Sequence, residues 1–288
     1  MKKFIITLNI LFISFLMTGC FKRDNLEDIT IYTTAYPIEY ITNYLYGEHS
    51  TVYSIYPNSI DITKYSLTSK QIEDYSKTDM YIFNGLSKEK DYVNSLFKYN
   101  KNLMIIDASQ SMEYTYNQNE LWLDPSNFLM LSLNIKNGLS EYIENHYLKN
   151  EIEEKYEALK LEISNIDANF NLMNSSSDNN TLVVDNNEFK FLEKYGFKII
   201  SLDPTTVTEK NIADVTKMIT DGSISYIFTT DKDNLSDAVK NIEKNTNVTI
   251  AELYDLSNMS DKDRTNKMDY ISLMNENMSL LKEELYNS

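Results

Sequence analysis

The chain has 288 residues, and its 43 acids against 27 bases give a net charge of −16. A surface this acidic repels nucleic acid and anionic lipid head groups and suits cationic ligands. Cys20 is the only cysteine, which excludes an internal disulfide and a thiolate metal site.

The chain opens on Lys2-Lys3, followed by a mostly apolar run from Phe4 to Met17 and the small residues Thr18-Gly19 before Cys20. A run this short reads as the core of a signal peptide rather than a membrane-spanning helix. Ending it on a cysteine resembles a lipoprotein signal, with cleavage before Cys20 and lipid on its thiol and new N-terminus. Residues 1–19 are therefore expected to be removed, and 20–28 to form a lipidated tether. Loss of Lys2 and Lys3 leaves 25 bases against 43 acids, a net charge of −18.

Ile29 to Thr34 alternates as a strand, and Tyr36-Pro37 opens an amphipathic helix to Tyr46, closed by Gly47. Thr51 to Tyr56 is a second strand, and Thr68 caps a helix that runs to Lys77. Met80 to Phe83 reads as a buried strand ending at Asn84-Gly85, Asp91 to Phe97 as a helix, and Leu103 to Asp107 as a strand. The stretch Asn119-Glu-Leu-Trp-Leu-Asp-Pro125 follows. It holds the only tryptophan, with an acid two residues before it and a helix start behind it. That unit can wall a cleft.

Pro125 to Tyr147 and Glu151 to Met173 read as helices, and the polar run Asn174–Asn180 as a linker. A second series of strands and helices follows: Thr181–Val184, Glu188–Tyr195, Lys198–Leu202, Glu209–Thr220, Ile224–Phe228, Leu235–Asn245, Val248–Leu253 and Met268–Tyr286. Alternation of this kind predicts parallel sheets covered on both faces. The fold class is α/β: two Rossmann-like lobes, 29–148 and 174–288, joined by a long backbone helix over 149–173. No sequence repeat relates the lobes.

The order of elements and several short strings resemble the zinc/manganese ABC-transporter solute-binding lipoproteins. The strings are Tyr36-Pro37, Asp61-Ile-Thr-Lys-Tyr65, Thr78-Asp79 through Asn84-Gly85-Leu86 with Glu89, Trp122-Leu-Asp-Pro125, Tyr195-Gly196, Tyr226–Thr229, and Met268 through Leu285. The resemblance implies two lobes clamping one metal ion, which that family usually holds with three histidines and one carboxylate. Here Thr63 stands in the first histidine place and Glu120 in the second. The third falls on Asp185 or Asn186, and the carboxylate place on Asp255. Thr230 replaces an acid that often follows the preceding strand. The two histidines, His49 and His146, match no ligand place and read as surface residues.

Glu120, Asp185 and Asp255 with the Thr63 hydroxyl would form an oxygen site, suited to manganese, magnesium, calcium or iron more than zinc. Three facing acids repel one another unless a cation or a proton intervenes. The bland alternative is that they are solvated cleft-edge acids left after a metal function decayed. There is no phosphate loop, no nucleophile elbow, and no histidine paired with a serine or the cysteine, so catalysis is not expected.

The resemblance implies a lipid-anchored, extracytoplasmic, monomeric receptor at the cell membrane. It would capture a divalent cation of the manganese, zinc or iron class for delivery to a permease and its ATPase. The alternative is a metal-blind surface lipoprotein of the same fold, acting as an adhesin or accessory binding protein.

Overall fold

The computed structural model describes residues 26–177 and 179–286. The expected signal peptide and lipid-bearing Cys20 lie outside the described residues. The chain forms two α/β lobes bridged by one long helix, as the alternation predicts.

In the first lobe, β1 (Ile29–Thr33), β2 (Ser50–Ser54), β3 (Met80–Phe83) and β4 (Met104–Asp107) form a parallel sheet in the order β2-β1-β3-β4. In the second, β5 (Thr181–Val184), β6 (Lys198–Ser201), β7 (Tyr226–Thr229) and β8 (Thr249–Glu252) repeat that topology as β6-β5-β7-β8. β3 and β5 are buried at all four positions, as central strands covered on both faces must be. The order reverses between β1 and β3 and again between β5 and β7. Crevices open beyond the carboxyl ends of the strands at such switch points, and here the two crevices meet.

The first lobe carries α1 (Tyr36–Tyr46), α2 (Ser69–Tyr75), α3 (Lys90–Tyr99), the single turn α4 (Glu120–Leu123) and α5 (Pro125–Tyr142). The Asp124 side chain accepts from Ser126 N at 2.8 Å, and Pro125 fits the first turn of α5. α5 stops at Tyr142, earlier than the expected Tyr147, because Ile143 is extended. Asn145 then caps Tyr147 N at 2.9 Å and starts the backbone helix α6 (His146–Ser176). Its buried stripe runs through Leu148, Ile152, Tyr156, Leu159, Ile163, Ile166, Phe170 and Met173, at helical spacing along 31 residues.

The second lobe carries α7 (Glu209–Thr220), α8 (Asp237–Asn245), α9 (Asp261–Thr265) and α10 (Tyr270–Tyr286). The helix expected from Glu188 to Tyr195 is only a 3-10 turn over Lys190–Tyr195, closed by Gly196 at φ 92°. A glycine fits that left-handed position because it has no Cβ to clash.

The lobes are welded. One hydrophobic cluster runs from Ile31 and Leu45 through α6 and α10 to Leu182, Val184, Phe228 and Leu253, while the far face of the second sheet has its own smaller core around Val183 and Ile227. The loop after β8 leaves its own lobe and straps the other. Ser257 O accepts from Tyr36 N at 3.0 Å, and Asn258 donates to Pro57 O and Ile60 O at 2.8 and 3.0 Å. From α9, Arg264 forks onto the buried Glu39 at 2.8 and 2.7 Å and reaches Asn58 Oδ1 at 2.7 Å.

Removing that fork leaves Glu39 buried without its partner. Arg264→Ala is expected to destabilise the fold by about 2 kcal/mol, and Arg264→Lys to recover less than half, because an ammonium cannot form the paired bonds. Urea midpoints at constant slope check this.

Candidate functional site

A cleft of about 670 Å³ lies where the lobes meet, lined by the carboxylates of Asp61, Glu188, Asp231, Glu252, Asp255 and Asp263 and by no lysine, arginine or histidine among the described residues. The first-lobe wall comes from the loop 57–65 and the turn into α4, and the second-lobe wall from the loops after β5, β7 and β8.

Local hydrogen bonds hold these acids in place. Asp61 Oδ1 accepts from Thr63 N at 2.9 Å and from Thr63 Oγ1 at 2.5 Å, and Lys64 approaches Oδ2 at 2.8 Å. Lys88 props the same loop by donating to Thr63 O at 2.8 Å and to Tyr65 O. Burial pushes Asp61 up, but the bonds from Lys64 and Thr63 outweigh it and hold the carboxyl below its ordinary range. Asp255 accepts from Ser257 N at 3.0 Å and Ser257 Oγ at 2.8 Å. Burial still raises its pKa, and Asp61 and Asp231 add repulsion.

Glu188 is the most perturbed acid in the cleft. Burial first, then the neighbouring Asp255, push it up to about 8 despite hydrogen bonding from Thr230 and Asn119. Its Oε2 is buried with no hydrogen-bond partner.

The turn from Asn119 through α4 serves both lobes. Trp122, fully buried, donates its indole N–H to Asp255 O at 2.8 Å, and Tyr270 of α10 donates to Trp122 O at 2.5 Å. Lys194 from the 3-10 turn bridges Asp124 and Ser126, the latter at 3.2 Å. Tyr116 donates to Glu193 at 3.0 Å, and Lys190 sits 4.7 Å above its ring.

Of the residues expected as ligands, Thr63 and Asp255 line the cleft. Glu120 does not. Its Oε2 accepts from Thr115 N and Tyr116 N, both at 3.1 Å, so the carboxylate caps its own loop. Asp185 lies under the wall, where Oδ2 accepts from Thr229 Oγ1 at 3.3 Å and Ser236 N at 3.4 Å, and Oδ1 is buried without a partner. Asn186 donates to Thr230 at 3.0 Å and accepts from Glu188 N at 2.9 Å. That Asx turn, following a strand end, is the sequence signal that carries Glu188 to the cleft. His49 pairs with Glu151 at 2.9 Å, and His146 stands 3.5 Å from Asn150, both away from the cleft.

The donor set lacks the imidazole and thiolate ligands that suit zinc. Among the described residues, no three of His, Cys, Asp and Glu sit close enough to hold one ion directly. The cleft therefore attracts cations without offering a preformed cage.

The profile of the zinc-uptake complex component A family, periplasmic, matches residues 31–284. The fold is similar to that of the Zn(II)-bound ZnuA-like domain of Streptococcus pneumoniae AdcA, at 20% identity over 90% of this chain and 99% of that one, with a TM-score of 0.72. It is also similar to the metal-dependent lipoprotein YcdH of Bacillus subtilis, at 17% identity, 90% and 99% coverage and a TM-score of 0.73. The laminin-binding protein Lbp of Streptococcus pyogenes follows at 17% identity, 90% and 99% coverage and a TM-score of 0.68. No curated protein matches the sequence.

Folded protein without a bound cation keeps the Glu188 proton up to about 8, whereas the unfolded chain releases it in the ordinary carboxylate range. The folded state holds the extra proton between those limits, so stability falls as pH rises through that window. Glu188→Gln is expected to flatten the fall toward its upper end, read as urea midpoints across the window in the presence of chelator.

Proposed function

The chain belongs to the zinc-uptake complex component A family, and from that membership we propose that it is the extracytoplasmic receptor of a metal-ion ABC importer, with a divalent cation as cargo. Family members are binding components of transport systems, not enzymes, and work with a permease and an ATPase. No described helix is long and apolar enough to cross a membrane. Lipid on Cys20 would hold the body at the outer face of the membrane, where it works as a monomer and passes the ion to its permease.

The observation that carries this reading is the lining of six carboxylates, of which Asp61 is paired with a base, Lys64. Carboxylates that repel one another in a shared cleft gain most from a small, highly charged cation. Asp255 and Glu188 from the second lobe face Asp61 and Thr63 from the first, so one ion between them would tie both lobes. Glu120 and Asp185 act behind the wall, the first ordering the 115–116 turn and the second the end of β7. The strap after β8 restricts opening, so loading proceeds with small shifts around α6 rather than a wide hinge.

Calorimetric titration of chelator-treated protein with manganese, zinc, iron and calcium tests the proposal. Binding of at least one at micromolar concentration is expected, and silence from all four would sink it. Asp255→Asn should weaken binding by at least about tenfold, while Glu120→Ala should leave affinity within about threefold. Because Trp122 is the sole tryptophan and bonds to Asp255 O at 2.8 Å, its emission should report loading.

One observation favours a second reading, a metal-blind surface lipoprotein acting as an adhesin or accessory protein: no histidine or cysteine lines the cleft among the described residues. Thermal stabilisation by cations that persists unchanged in Asp255→Asn and Glu188→Gln would support it.

A further inference from the structure

Resting on the reading of the cleft as a cation receptor, we propose that Leu256 is a positioning residue, whose buried side chain and left-handed backbone aim the Asp255 carboxylate. Among the described residues, five other than glycine take a positive φ: Asp28, Ser59, Ser111, Leu256 and Lys267. Four of them are polar and exposed. Leu256, at φ 59°, is 1% exposed and belongs to the hydrophobic cluster that both lobes share. A side chain in that conformation brings its Cβ close to the following carbonyl oxygen, and a bulky buried residue rarely adopts it.

The strained residue sits between Asp255 and Ser257, which both line the cleft. Ser257 N donates to Asp255 Oδ1 at 3.0 Å and Ser257 Oγ to Oδ2 at 2.8 Å, an Asx turn with Leu256 in its middle. Both carboxylate oxygens are thus held by the residue that follows Leu256. Rotating Leu256 out of the left-handed region would swing Ser257 away and release them. A turn that needed only to redirect the chain would favour glycine or asparagine at this place. Leucine adds an anchor in the core, which neither of those supplies.

The chain is pinned on each side of the turn. Asn277 of α10 brackets Tyr254, accepting from its N–H and donating to its carbonyl, both at 2.8 Å. Trp122 then donates to Asp255 O at 2.8 Å, and Tyr36 N to Ser257 O at 3.0 Å. Between these fixed points the conformation of Leu256 decides where the carboxylate points, and the core decides the conformation of Leu256. Strain that persists because its surroundings over-determine it clusters at binding sites.

Chelator-treated wild-type protein and variants are titrated with manganese and zinc by calorimetry, with urea midpoints measured alongside. Leu256→Gly relaxes the backbone but removes the anchor, and is expected to weaken binding at least about tenfold. Leu256→Met keeps a side chain of similar volume in the core and should stay within about threefold of wild type. Because the effect passes through Asp255, adding Leu256→Gly to Asp255→Asn should weaken binding by no more than about a further threefold. Val215→Ala, in the separate core of the second lobe, should lower the urea midpoint and leave affinity within about threefold. Should Leu256→Gly not fold, Leu256→Ala replaces it, with an expected loss of about three- to tenfold.

If Leu256→Gly lowers the urea midpoint as Val215→Ala does yet binds like wild type, the leucine is core packing alone and the proposal is overturned. If it weakens binding as much in Asp255→Asn as in wild type, it does not act through Asp255, and the proposal also falls. If wild type binds neither manganese nor zinc, the receptor reading fails and leaves Leu256 no cation site to shape, a result distinct from the first two.

Discussion

Among the hydrogen bonds that cross the lobe boundary at the cleft, one comes from the Trp122 indole N–H, which donates to the Asp255 carbonyl at 2.8 Å. The donor side of the bond is buried, since Trp122 is 1% exposed, so losing the bond would leave the indole N–H without a partner. Below it, Tyr270 donates to Trp122 O and stacks on Phe128 with ring centres 4.0 Å apart. Three segments far apart in sequence are thereby held together. The turn before α5, the loop after β8 and the start of α10 are joined by these two bonds.

That weld has an electrostatic consequence. In a hinge that opened freely, acids on opposite lobes would relax by separating. Here the shared core and the strap from Ser257 to Arg264 keep them facing. The repulsion has to be met chemically, by a proton or by a cation, and burial together with the neighbouring Asp255 raises the Glu188 carboxyl most. Proton and cation then compete for one wall. A cation at this wall would be held better as pH rises and less well as it falls, because protonation removes the charge that attracts it.

Much of the architecture was legible in the sequence, because alternation of buried strands and amphipathic helices depends on local spacing alone. Thr68 and Asp124 cap the helices α2 and α5 through their own side chains, and such signals lie within a few residues of what they control, whereas the Asn145 cap that starts α6 fell inside an expected helix. The site was legible only in part. Thr63 and Asp255 stand in ligand places implied by the resemblance to the metal-binding family, and both line the cleft. Glu120 and Asp185 were identified on the same grounds and stand behind the wall. The difference lies in which unsatisfied backbone N–H each carboxylate finds first: Thr115 and Tyr116 for Glu120, and Ser236 for Asp185. Glu188 went unnoticed because its position depends on an Asx turn at Asn186 that replaces the expected helix with a 3-10 turn.

By itself the sequence determined a two-lobed α/β chain, its strand and helix order and its acidity. These follow from residue types and short spacings, which need no partner from elsewhere in the chain. Only the tertiary structure decided which acids face one another, that the lobes are joined by a strap rather than a free hinge, and that the carboxylates ring a space larger than an ion. Each depends on contacts between residues more than a hundred positions apart, such as Trp122 with Asp255 and Glu39 with Arg264. The packing of the two lobes settles those contacts, and no local pattern encodes them.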